Sequence, residues 1–155
     1  MGNSMQGSKV YISAAQATLP ANAAAYAALS WTEIKQVGNM GQIGTSVNSL
    51  QYPTWGDTVV QKAKGLADGG SPTLEVMRVP GDAGQTALRA AALTNLTYAF
   101  KVERNDKLTG GGTNTIIYNW GLVAGPARPQ GGNEDFDTEI FTLMFQALET
   151  VVAPT

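Results

Sequence analysis

The chain has 155 residues, enough for one domain with a stable core. Charged residues make up only 14% of it, and ten Lys and Arg against twelve Asp and Glu leave a formal charge of −2. That balance disfavours the cationic phosphate grip of a nucleic-acid binder. Histidine and cysteine are both absent, which removes disulfides, thiolate and imidazole catalysis and the usual zinc, copper and haem ligands. With 18 Gly and 7 Pro, many turns joining short strands are expected rather than long helices.

In chain order, Val10-Tyr11-Ile12 reads as a short strand, followed by an uncharged, Ala-rich segment. Ser13, Gln16, Thr18, Pro20 and Asn22 interrupt it too often for a membrane span, and it lacks the Leu-rich stretch of a secretory leader. Residues 1–30 are therefore expected to form an N-terminal arm with a short strand, and residues 31–155 a single β domain. Trp31-Thr32-Glu33-Ile34 predicts a strand, and Gly38, Gly41 and Gly44 a turn without the spacing of a phosphate cradle.

From Ile43 to Gly65 the composition favours two strand arms around a loop at Gln51-Tyr52-Pro53-Thr54-Trp55-Gly56. Tyr52 and Trp55 must then either pack back on the domain or dock on a partner. In the second arm Val60, Lys62 and Lys64 share one face. Thr73 to Val79 predicts a strand. Asp82, with Gln85 three residues later, predicts a capped helix over about 82–93, its narrow apolar face formed by Leu88, Ala91 and Ala92.

Tyr98, Phe100 and Val102 alternate with Ala99, Lys101 and Glu103, and Ile116, Tyr118, Trp120 and Leu122 share a face of the next strand, giving a hairpin with a long glycine-rich loop. Residues 124–137 predict an irregular loop. Thr138 to Glu149 predicts a last strand with apolar residues on both faces, hence a central or covered one.

No catalytic triad can be built. Glu134, Asp135, Asp137 and Glu139 do not follow a calcium-loop template and read as a solvated acidic loop; Glu75 and Glu103 meet the needs of a two-carboxylate hydrolase only loosely. No enzyme activity, cofactor or metal is expected.

The ordered landmarks resemble the major tail tube proteins of long-tailed, non-contractile (siphovirus-type) bacteriophages and gene transfer agents. The resemblance rests on Trp31 to Ile34 with the glycines after it, Lys62-Ala63-Lys64-Gly65-Leu66-Ala67-Asp68-Gly69-Gly70, Leu74 to Val79, Asp82-Ala83-Gly84-Gln85 leading to Leu88-Arg89-Ala90-Ala91, Tyr98 to Glu103, and Asp137 to Glu149. The Ala14 to Ala28 segment lies outside it.

The resemblance implies a mainly β fold, a β-sandwich or partial barrel with one flanking helix, closing into usually sixfold rings with a continuous inner β-barrel. Such rings stack into a tube that passes double-stranded DNA without binding it specifically, built around a tape measure protein and capped by a terminator and a distal tail or baseplate protein. The chain would be assembled in the bacterial host cytoplasm and reside in the virion tail, with no membrane insertion. On this expectation Tyr11, Tyr52, Trp55, Arg128 and Phe136 are candidates for inter-subunit contacts, the loops at about 44–58 and 124–137 bridge subunits, and Glu75, Glu103, Glu139 and Glu149 line the channel. Tube subunits of contractile tails and of type VI secretion share the architecture, and a secreted Ig-like binding module shares the β pattern.

Overall fold

The computed structural model describes residues 2–155. Ten strands and two helices follow in the order β1 (Lys9–Ala15), α1 (Ala23–Ala27), β2 (Trp31–Ile34), β3 (Val37–Met40), β4 (Ser46–Tyr52), β5 (Gln61–Asp68), β6 (Thr73–Met77), α2 (Ala83–Ala92), β7 (Tyr98–Glu103), β8 (Ile116–Ala127), β9 (Thr138–Phe145) and β10 (Thr150–Val152). Eight strands make one antiparallel sheet in the order β2-β1-β7-β8-β9-β6-β3, with β10 continuing β9 along β8. The strands β4 and β5 pair only with each other.

The two edge strands of the large sheet, β2 and β3, are joined through Lys35 and Gln36 alone. Three Cα steps span at most about 11 Å, so the edges must come close and the sheet must curl. The result is a partial barrel that is not closed by hydrogen bonds, rather than two stacked sheets. Gln36 turns the corner with a left-handed backbone, φ 59°.

Alternation along the strands explains the core. Val10 and Ile12, Leu74 and Val76, Phe100 and Val102, and Phe141, Leu143 and Phe145 all point to the inner side, where Leu88 and Ala91 of α2 cover them. Outside, a smaller cluster forms where α1 lies on β7 and β8: the Tyr26 ring stacks on Tyr118 at 4.9 Å, and Trp31 Nε1 donates to the Tyr26 carbonyl.

Four expectations shift. The strand expected in an N-terminal arm is β1, which is hydrogen-bonded between β2 and β7 in the large sheet; the following segment supplies a second helix, α1, held through Tyr26. Gly38 lies within the edge strand β3 rather than in a turn. The strand β8 runs through Ala127, which shortens the irregular loop to residues 128–137. The last strand is indeed interior, between β8 and β6, but it breaks at residues 146–149 before resuming as β10.

Candidate assembly surfaces

The start of α2 sets the geometry of the barrel seam. The Asp82 carboxylate accepts from the Gln85 backbone N–H at 3.0 Å, as its capping role requires, and also from the Lys35 N–H at 3.2 Å. The Gln85 amide does not reach back to the cap. Fully buried, it donates to the Lys35 and Met77 carbonyls and accepts from the Val79 N–H and the Arg89 guanidinium, all at 2.8–3.1 Å. One side chain thereby joins the β2–β3 corner, the end of β6 and α2. Gly84 permits the approach, since a Cβ there would collide with the Glu33 carbonyl.

Beside this seam, Glu139 is fully buried at the start of β9. Arg89 holds it at 2.9 Å, while the Nε atoms of Arg78 and Arg128 each lie 3.5 Å away; Arg78 also meets Asp137 at 3.3 Å. Glu139 shares the inner side with Phe141 and Leu143, so it has no surface to offer a channel, and its place among the channel-lining candidates is corrected. The other acids of the 134–137 run are not simply solvated: Asp137 meets Arg78, and Asp135 accepts from the Gly132 N–H.

The remaining acidic candidates are scattered. Glu75 sits on β6 between Asn39 of β3 and Ile140 of β9, and is the only charge on the outer face of those three strands. Glu103 accepts from Asn114 at the end of β7, and Glu149 lies in the break before β10.

The contact candidates fall into three places. Tyr11 is half-buried on β1 and engaged within the chain: Lys101 Nζ stands 4.2 Å above its ring, and burial together with Glu103 and Glu33 raises its hydroxyl pKa. The same burial lowers that of Lys101. Arg128 and Phe136 flank an open depression of about 410 Å³ over the 128–137 loop, with the Phe136 side chain 78% exposed.

Tyr52 and Trp55 belong to the β4–β5 hairpin. Neither packs back on the domain: Tyr52 is 73% exposed and Trp55 fully so. Along both strands every residue except Gly65 is exposed, including Val47, Leu50 and Leu66. Sequence reasoning found the two aromatics but missed Leu66, which lies within β5 where a turn was expected and is exposed there. It also missed Arg89, whose buried partner is 50 residues away.

No family model and no curated protein matches the sequence. Among solved structures, a chain in the six-fold symmetrised cryo-EM structure of the anti-feeding prophage baseplate superposes with a TM-score of 0.66 at 9% identity, over 99% of this chain and 97% of that one. A chain in the cryo-EM structure of the anti-feeding prophage cap, the tube-terminating cap, gives 0.64 at 11% identity, over 99% and 93%. The fold is therefore shared, over nearly the whole chain, with chains of the anti-feeding prophage baseplate and cap.

Proposed function

We propose that this chain is a structural subunit of a phage-tail-like tube, forming rings, sixfold in the siphovirus-type reading, that stack into a conduit for double-stranded DNA. The observation that carries the reading is the β4–β5 hairpin. A two-stranded ribbon is at best marginally stable in water, and this one exposes Val47, Leu50, Tyr52, Trp55 and Leu66 together. Its surface is that of an interface without its partner. The superposition with baseplate and tube-cap chains over nearly the whole length supports a tail assembly as the setting.

The role needs no catalysis. It places the protein in the virion, next to a tape measure, a terminator and a distal tail protein. The outer face of β3, β6 and β9, with Glu75 as its one charge, suits a channel wall that must not retain DNA; Glu103 and Glu149 are the further acidic groups available to it. A second reading, tube subunit of a contractile tail, is favoured by the origin of both neighbours in one prophage particle with a baseplate and a tube cap. The secreted Ig-like module has less support, because it needs two packed sheets of several strands each where this chain has one curled eight-stranded sheet and a two-stranded hairpin.

Sedimentation velocity of Tyr52→Asp and Trp55→Asp variants tests the reading. Folded subunits that no longer form the oligomers of the parent chain are expected; unchanged oligomers would remove the hairpin from the interface.

A further inference from the structure

The hairpin has two different faces. Ladder partners place Lys62 opposite Gln51 and Lys64 opposite Ser49 on one side, while Leu50, Tyr52 and Ala63 occupy the other. Neither lysine has a carboxylate within ion-pair distance among the described residues, for all four ion pairs lie in the Arg78, Arg89 and Arg128 cluster. Along the two lysines runs a shallow groove of about 310 Å³, with Val47 on the same face as Ser49 and with Asn48 and Ala63 completing its lining. It is an apolar slot with a cationic rim.

The loop of residues 128–137 carries the complementary shape. Glu134-Asp135-Phe136-Asp137 presents a phenylalanine that is 78% exposed, set among acids, and Glu134 makes no ion pair among the described residues. Within one chain neither the groove nor the depression over this loop includes a residue of the other.

We infer that the lysine-rimmed groove of the hairpin receives the Glu134–Asp137 loop of a second copy of this chain, with Phe136 in the slot and Glu134 and Asp135 against Lys62 and Lys64. The contact is heterologous, since groove and loop are different patches. Repeated from copy to copy it generates a ring if the rotation closes and a filament if it does not. Phe136 brings the burial; the charges set register and speed encounter, and they make the contact weaken as salt rises. The inference rests on the tube reading and names the surfaces through which copies meet.

The test combines zero-length carbodiimide cross-linking of mixed light- and heavy-isotope protein with charge reversal. Peptides joining Lys62 or Lys64 of one isotope to Glu134 or Asp135 of the other are expected. Lys62→Glu with Lys64→Glu, and Glu134→Lys with Asp135→Lys, are each expected to raise the concentration needed for assembly by about tenfold or more, and the four changes together to bring it back towards the parent value. That recovery cannot come from a merely misfolded hairpin. Oligomers that form without these cross-links and tolerate both reversals would overturn the pairing while leaving the tube reading intact. A chain that stays monomeric at every concentration overturns both.

Discussion

The side-chain amide of Gln85 donates at 3.0 Å to the backbone carbonyl of Lys35, tying the first turn of α2 to the corner where the two edges of the sheet meet. It also satisfies the Met77 carbonyl and the Val79 N–H, so no polar atom of the amide is idle. The open seam of the barrel is closed by a side chain where strand pairing is absent.

Gln85→Leu keeps the volume but strands three backbone groups. A buried unsatisfied group costs about 1–3 kcal/mol, so a loss of about 3 kcal/mol or more is expected in urea denaturation of the purified chain. A variant as stable as the parent would show that the seam does not depend on this amide.

Glu139→Ala leaves Arg89 facing a buried void and frees Arg78 and Arg128. Breaking a buried ion pair from one side costs about 3–5 kcal/mol, and the midpoint of denaturation should fall accordingly. An effect below about 1 kcal/mol, the scale of an exposed pair, would mean that the cluster is solvated.

Asn119 is fully buried on the inner side, opposite Phe100, and neither amide atom finds a partner among the described residues. Asn119→Leu is expected to stabilise the subunit by about 1 kcal/mol or more and to raise its melting temperature. A lower melting temperature would show that the amide is satisfied in solution.

Asp106 accepts from the Thr115 hydroxyl and N–H, and these bonds hold its carboxyl below the usual aspartate range. A depressed folded pKa means that the stabilising bond is present at neutral pH and is lost as pH falls through that depressed value. The Thr115 amide resonance should therefore titrate with a midpoint below about 3.9, the unperturbed Asp value, and Asp106→Asn should abolish the step. A midpoint at or above the unperturbed value would contradict the bond.

What the sequence made legible follows from how local each signal is. The strand β7 and the cap of α2 were readable because a period-two run and an Asp with Gln three residues later act within a few residues. The destination of Gln85 was not: its amide leaves the helix for residues 35, 77 and 79, which no local pattern names. Glu139 was expected to line the channel although it shares the period-two face of Phe141 and Leu143, and the arginine that makes its burial tolerable arrives from α2. The interior position of β1 was hidden by the small, uncharged residues after it, which look like a mobile arm until Tyr26 is seen stacked on Tyr118. Tyr52 and Trp55 stood out because large aromatics beside Pro and Gly in an uncharged stretch need cover, and in the subunit they have none.

The central claim is assembly through that uncovered hairpin. Electron microscopy of the purified 155-residue chain over a concentration series tests it most directly. Rings with a central channel, stacking into tubes as concentration rises, are the predicted result; uniform particles of single-subunit size at the highest concentration would contradict it.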